Sequence, residues 1–502
     1  MNLADLIDRN ATFTPDKPAL CFEDMVWDYA FLARRIEALA RAMRSQLGVH
    51  RGDRVAVLAL NRPDYLALLY ACARLGAMLV PLNWRLVPPE QLFILRDAGV
   101  KVLFVAADFA TVVPALADGL PQARIVALDD TAGFNSLLDA GSNDGREPQI
   151  DFTAPLLIVY TSGTTGLPKG AMLTQQAVFC NGVMSHHMHA MTPDDHVLTV
   201  LPFFHVGGLN IQTTPALQLG ATVTMHGRFD PGATLAAIAS VRPTLTVLVP
   251  ATIEALRRHP AWTVTDLSCL RAMTTGSSIV PQELIDVFAG RSVPVLQVYG
   301  ATETGPIAIY TRLGGDLTRP GSTGLPGLLC EVRIVDANDN DVPANVPGEI
   351  LICGDNVLTE YWGNEAATAD ALRHGWYRTG DIAQRDADGY VSILERKRNL
   401  IISGGENVYP AEIERVFYRH PAVSEAAVIG VPDPRWQEVP LAFVVLLAGA
   451  TTTTEELHLH LAAHLAPFKR PRNIVITPEL PRNALGKVQH FRLREMWRAS
   501  AA

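Results

Sequence analysis

Cysteine is scarce and shows no pairing pattern. Six residues, Cys21, Cys72, Cys180, Cys269, Cys330 and Cys353, are scattered through 502 positions with no CxxC pair and no accompanying histidine spacing. That excludes a zinc ribbon and points to reduced core thiols in a reducing compartment. Membrane-spanning apolar runs are missing as well: the region 66–80 is interrupted by Arg74 and Gly76. Basic excess is absent. A net charge of −9 disfavours a nucleic-acid binder that works by neutralising phosphates, and it suits an anionic substrate only where basic residues are concentrated locally. The first ten residues carry acids where an export signal needs a basic start and an apolar run. No internal repeat is present. A cytoplasmic protein is expected, with no nucleic-acid partner and no integral membrane segment; a homodimer is compatible with these features.

What is present is a soluble globular balance, 48% hydrophobic and 19% charged, in a chain long enough for two or more domains. Strand patterns at 54–60, 78–82 and 102–106 alternate with helix patterns at 63–75 and 89–97, which argues for α/β layering with a largely parallel sheet. Residues 131–149, rich in Asp, Gly, Ser and Asn, read as a surface connection. Strand patterns resume at 197–201, 222–225, 245–249 and 295–298, and 332–352 reads as a β-rich subdomain. Arg396-Lys397-Arg398-Asn399 is a polar interruption. Beyond it lies a unit with its own pattern: Pro410 at a helix first-turn position, strands at 427–431, 441–446 and 473–476, and a Thr-capped helix at 455–465. The expected fold is α/β: a large N-terminal domain (1–396) of layered α/β subdomains plus a β-rich subdomain, and a small mobile α+β C-terminal domain (397–502).

Residues 161–170 read Thr-Ser-Gly-Thr-Thr-Gly-Leu-Pro-Lys-Gly and follow the apolar strand pattern 155–160. Glycine lets backbone N–H groups approach a ligand, hydroxyls donate to phosphate oxygens, and lysine adds a point charge. A triphosphate cradle and a flexible surface turn both fit this composition. The spacing is not that of the common P-loop.

Further motifs follow in order: Pro-Phe-Phe-His at 202–205, Tyr-Gly-Ala-Thr-Glu-Thr at 299–304, and Trp-Tyr-Arg-Thr-Gly-Asp at 376–381. Arg396 comes next with Ser-Gly-Gly-Glu-Asn-Val-Tyr-Pro at 403–410, then Pro-Arg-Asn-Ala-Leu-Gly-Lys at 481–487. Over nearly its whole length the chain thereby resembles the adenylate-forming superfamily of acyl-CoA synthetases, firefly luciferase and nonribosomal-peptide adenylation domains. The resemblance implies an AMP-forming acid–thiol ligase that uses ATP, Mg²⁺ and coenzyme A, passing through an acyl-adenylate.

The resemblance also implies roles. Thr161, Ser162, Gly163, Thr164, Thr165 and Lys169 would hold the β- and γ-phosphates, and Thr302 the α-phosphate. Glu303, by itself an ordinary loop acid, would bind Mg²⁺, a hard cation that takes carboxylate and phosphate oxygens. Tyr299, Gly300, Gly276 and Ser277 would face adenine. Asp381, by itself a turn-stabilising Asp, would take the ribose hydroxyls with Arg396 adding a contact. Lys487 would bridge the carboxylate and the α-phosphate as the principal catalytic residue. Arg398 stands at the hinge where relatives have Asp or Lys. Ser403, Gly404 and Gly405 would line the pantetheine passage, with Trp436 and Lys469 near the CoA nucleotide. Gln437 replaces the usual glycine after that tryptophan, and Phe468-Lys469-Arg470 reads equally as an exposed basic turn.

His205 would line the carboxylate end of an acyl pocket completed by Gly207, Gly208, Gly305 and Ile307, with Pro306 and Ile309 beside it. No Arg or Lys is evident there to pair a second carboxylate, so the expected acid is an apolar monocarboxylate, medium-chain or aromatic. The run His186-His187-Met188-His189 resembles a metal tract but has no carboxylate or cysteine nearby in sequence, and reads as helix surface or pocket wall. The chain ends soon after Lys487, which favours CoA over a carrier protein or an amine as acceptor.

Overall fold

A computed structural model gives the architecture, describing residues 1–129, 131–139, 149–161, 167–276, 280–319, 321–403, 406–482 and 488–501, with backbone only at 131–133, 135, 398, 500 and 501. Two large sheets carry the N-terminal part. In the first, seven strands run in the order Glu360–Tyr361, Lys169–Thr174, Pro155–Thr161, Met78–Pro81, Arg54–Leu58, Val102–Val105 and Arg124–Ala127. The last five are mutually parallel; the two at the Glu360 end pair antiparallel. In the second, nine strands run from Leu325–Pro326 through Ile309–Tyr310, Val295–Tyr299, Ala272–Gly276, Leu245–Leu248, His196–Thr199, Thr222–Met225 and Pro18–Phe22 to Met25–Asp28, again parallel in the middle. Strands such as Val102–Val105 are buried along their whole length, as expected where helices cover both faces of a parallel sheet.

The main core lies between these sheets. Helix Pro63–Leu75 is buried on every side, with Pro63 in its first turn and Gly76 (φ 64°) as its left-handed stop. Arg74, the charge that interrupts the apolar run, is 2% exposed and pairs with Asp8 at 2.7 Å and with Glu37. A charge so deep needs such partners, because an unpaired one would cost several kcal/mol.

A third, antiparallel sheet unites Cys330–Val335, Gly348–Gly354, Trp376–Arg385, Leu372–Arg373 and Val391–Arg396. From Val391–Arg396 the chain passes through one short turn, Lys397–Asn399, into a fourth sheet of Glu406–Val408, Ile401–Ser403, Gln437–Leu446, Val423–Asp433 and Asn473–Ile476. This last sheet has its own core, including Ile401, Ile413, Phe417, Val428 and Ala442. The mixed α/β architecture with a larger N-terminal part and a smaller C-terminal part therefore stands.

One segment departs from expectation. Residues 131–149 were expected to form a connection, but Thr131–Asp139 is a helix; residues 140–148 lie outside the described set. Phe134 and Leu138, four apart, reach the main core from it. Burial of that pair outweighs a turn-like composition.

Within the small lobe, Glu414 is partly buried in helix Pro410–Tyr418 and accepts a hydrogen bond from Val428 N at 2.8 Å. Burial, reinforced by the nearby Glu395 carboxylate, pushes its pKa up from 4.5 to about 8. The folded chain therefore holds a proton that the unfolded chain releases between those values, so stability should fall as pH rises from 4.5 and level off above 8. Glu414→Gln should flatten that slope, measured as chemical-denaturation midpoints from pH 4.5 to pH 8.5; an unchanged slope would remove Glu414 as its source.

Candidate active site

The Gly/Thr-rich stretch joins two antiparallel strands, since Thr161 pairs with Lys169 in register. Ser162, Gly163, Thr164 and Thr165 lie outside the described residues. Lys169 opens strand Lys169–Thr174, and its ammonium sits 5.4 Å from the ring centroid of Tyr361. Tyr361 is on the neighbouring strand, paired with Ala171, and its hydroxyl donates to Glu303 Oε1 at 2.8 Å. Burial, with the Glu303 charge beside it, raises the Tyr361 pKa well above the usual phenol range, so it remains a donor. Sequence reading missed Tyr361. The only signal was an aromatic pair, Tyr361-Trp362, on a two-residue strand.

Glu303 lies in the turn Thr302–Thr304; both Thr302 and Glu303 are 8% exposed. Backbone lacing fixes it: Leu358 N donates to Glu303 O at 2.7 Å, Thr359 N to Met172 O and Trp362 N to Gly170 O. The following loop is held by three buried amides. Asn356 Nδ2 donates to the carbonyls of Thr304 (2.8 Å) and Ile307 (3.0 Å). Asn210 Nδ2 donates to Gly305 O at 3.1 Å, and Asn181 Oδ1 accepts from Ile307 N at 3.1 Å. Gly300 is obligatory for a steric reason: a Cβ there would stand 1.8 Å from the Pro306 carbonyl oxygen. Gly276 is similar, its Cβ position lying 2.3 Å from Val298 O.

Glu303 Oε2 accepts no hydrogen bond among the described residues, and no group of three or more His, Cys, Asp or Glu there forms a ready-made metal cage. A single hard carboxylate fits Mg²⁺, which takes one or two carboxylates and completes its shell with phosphate oxygens and water.

Asp381, 5% exposed, receives the Tyr299 hydroxyl on Oδ2 at 2.7 Å and pairs through Oδ1 with Arg396 Nε at 2.9 Å. Both contacts orient the carboxylate, and each oxygen retains a lone pair for a hydroxyl ligand. Asp381 and Arg396 are cross-strand partners, so the antiparallel register itself brings them together.

His205 caps the short helix Val206–Gly208, its Nδ1 accepting from Gly207 N at 3.0 Å. Gly208 admits no side chain, because a Cβ would meet Pro202 O at 2.4 Å and Leu201 O at 2.5 Å. Ile307 and Ile309 are fully buried in two different core clusters. The histidine run is spread over three environments. His186 meets Pro215 O, His187 meets the Tyr310 hydroxyl, and His189 is buried against Ser185 and Thr274.

In the small lobe Ser403 is buried and Trp436 is 37% exposed, with Arg435 stacked over its ring at 4.9 Å. Gln437 adopts φ 67°, in the left-handed region that glycine enters at least cost. Lys469 is held by both oxygens of Glu412. Gly404, Gly405, Ser277 and Lys487 lie outside the described residues, as does the side chain of Arg398.

Lys169 and Glu303, both in contact with Tyr361, stand close in sequence to the ends of strands Pro155–Thr161 and Val295–Tyr299, and strand ends of this kind are where α/β enzymes place their ligands. The comparisons agree. The model of AMP-binding enzymes matches residues 7–362, and that of the AMP-binding enzyme C-terminal domain matches 412–487. The chain belongs to the AMP-binding enzyme family. An indoleacetate–CoA ligase from Aromatoleum aromaticum is 46% identical over 501 residues, 99% of this chain and 98% of the relative. An anthranilate CoA ligase in complex with anthranoyl-AMP superposes with a TM-score of 0.93 at 28% identity, covering 100% of this chain and 98% of that one. An o-succinylbenzoate CoA synthetase from Bacillus subtilis, in complex with ATP and magnesium ion, gives 0.86 at 30% identity, covering 98% and 99%. No helix among the described residues is long and apolar enough to cross a membrane.

Tyr361→Phe removes the donor from Glu303 but keeps the ring beside Lys169. Affinity for ATP in the presence of Mg²⁺, read by titration calorimetry, should drop about tenfold, the size expected for a lost hydrogen bond to a charged group. Affinity measured in EDTA should change little; an equal loss in both conditions would assign Tyr361 to packing alone.

Proposed function

We propose that this chain ligates a carboxylic acid with an apolar, ring-bearing body to coenzyme A, using ATP and releasing AMP and pyrophosphate. The observation that carries the reading is the end-to-end match to an indoleacetate–CoA ligase at 46% identity. The site chemistry agrees with it. In the first half-reaction a carboxylate oxygen bonds to the α-phosphorus of ATP as the bond to pyrophosphate breaks. Two anions must approach, so cations and donors have to stand ready for the charge. Lys169 and Thr161, with residues 162–165, hold the β- and γ-phosphates, and Thr302 the α-phosphate. Magnesium, when bound at Glu303 and the phosphates, supplies charge neutralisation to the leaving pyrophosphate. Asp381, oriented by Tyr299 and Arg396, takes the ribose hydroxyls, and His205 stands at the carboxylate end of the acyl pocket.

In the second half-reaction the CoA sulfur attacks the acyl carbon and AMP leaves. The domain boundary falls at 396/397, supported by the single short turn between the third and fourth sheets. Arg398 acts as the hinge about which the small lobe turns. It withdraws Lys487 and brings Ser403, Gly404 and Gly405 to the pantetheine passage, with Trp436 and Lys469 near the nucleotide end. The six free cysteines support a reducing, cytoplasmic setting.

An acid panel with ATP and Mg²⁺, with and without CoA, tests the reading. Sustained AMP release should require CoA and should favour arylacetates and related aromatic acids; turnover indifferent to CoA, with transfer to an amine or a carrier protein, would replace it. Lys487→Ala should lose acid-dependent pyrophosphate exchange by about 100-fold or more and still convert supplied acyl-adenylate with CoA. Equal loss of both half-reactions would contradict the role given to Lys487.

A further inference from the structure

The parts of the chain before and after Arg398 share no hydrophobic core. Among the described residues, every buried apolar cluster lies wholly on one side of that position. The contact between the two parts is polar instead. A cavity of about 440 Å³ is lined by Gln384 and Ser392 of the third sheet and by Tyr409, Arg415 and His464 of the small lobe. On the exposed surface, Arg258 Nη2 donates to Ser424 Oγ at 2.9 Å. Without a large apolar interface, relative motion of two such parts is the default, and specific contacts decide which orientation is held.

One buried side chain supplies such contacts. Glu395, in strand Val391–Arg396, is 7% exposed and uses both carboxylate oxygens. Oε1 accepts from Arg396 N at 2.7 Å and from Asn399 Nδ2 at 3.2 Å, and Oε2 accepts from Ala411 N at 3.1 Å. Asn399 and Ala411 both lie beyond Arg398. Ala411 stands at the start of the small-lobe helix Pro410–Tyr418, after a proline that has no N–H to offer. Tyr409, before that proline, gives the helix no side-chain cap. The cap comes from Glu395, and the amino end of a helix favours a carboxylate. Burial pushes the Glu395 pKa up, against the pull of its three donors, which favour the charged form.

We propose that Glu395 is a positioning residue whose carboxylate latches the small lobe in its present orientation. The lobe turns between the two half-reactions by giving up the bonds to Asn399 and Ala411. The inference rests on the reading above, in which Arg398 is the hinge. A turn at that residue leaves Glu395 with the large lobe and carries Asn399 and Ala411 away, while the bond from Arg396 N, on the same side as Glu395, is kept. Hydrogen bonds weaken steeply as they stretch and bend, so the carboxylate cannot follow both partners through a rotation. Removing the latch tips the balance toward the other orientation without touching a substrate.

The test reads the two half-reactions of the full chain separately, with the best acid of the panel. One is acid-dependent pyrophosphate exchange with ATP and Mg²⁺; the other is conversion of supplied acyl-adenylate with CoA. Each uses one orientation, so the ratio of their rates reports the balance between the two. In Glu395→Ala that ratio should shift by about tenfold or more, the size expected when hydrogen bonds to a charged group are lost. At least one of the two rates should hold or rise, whereas a residue needed only for stability would lower both. Asn399→Ala removes one donor, leaves the carboxylate in place and should move the ratio the same way by less, which keeps the test decisive if Glu395→Ala fails to fold. A fall in both rates, an unchanged ratio, or opposite shifts in the two variants overturns the latch and leaves the ligase reading intact. A wild-type chain that shows no exchange with any acid of the panel overturns both.

Discussion

One hydrogen bond, from the Tyr361 hydroxyl to Glu303, ties together three stretches of chain that are far apart in sequence. Tyr361 reaches Glu303 only because residues 358–362 are laced by backbone bonds to Glu303 on one side and to strand Lys169–Thr174 on the other. The same ring lies under the Lys169 ammonium. Cation, ring and carboxylate thus form one unit at the edge of the first sheet. A carboxylate left in that position without its donor would be a buried polar group with an unmet bond, which costs about 1–3 kcal/mol.

The region around the turn 209–213 and the loop 304–307 is built by the opposite means, from polar groups sunk into an apolar core. The π-turn at Leu209–Thr213 shifts the helical ladder, and the carbonyls of Asn210 and Ile211 accept side-chain donors from the facing helix. Asn356 and Asn210 donate in the same way to carbonyls of the loop 304–307, and Asn181 Oδ1 accepts from Ile307 N. Such bonds pin backbone that regular secondary structure does not reach, and they give this region shape at places where apolar packing alone would leave it adjustable.

Much of this was legible in the sequence. The helix 63–75 begins and ends on the residues that its proline and glycine dictate, and the parallel strands announce themselves as short apolar runs between turn residues. The cross-strand pair Asp381 and Arg396 was named from motifs, and the register places them together. Tyr361 was not legible, because its importance comes from a partner 58 residues away and not from its neighbours. Nor was the helix at Thr131–Asp139, whose polar composition hides two residues that the core absorbs. Gln437 was noticed as a departure, but its φ of 67° is visible only in the structure.

The sequence by itself determined the chemistry available: a Gly/Thr-rich loop with a lysine, a Thr-Glu-Thr turn, a Thr-Gly-Asp turn, and the alternation that makes parallel sheets. These are local properties, fixed by residue type and spacing. Tertiary structure decided which carboxylate gains a tyrosine, which one reaches the amino end of a helix in the other lobe, and which glycines are demanded by a neighbouring carbonyl. Those outcomes depend on where distant backbone comes to rest, and hydrogen bonds act over about 3 Å whatever the separation along the chain.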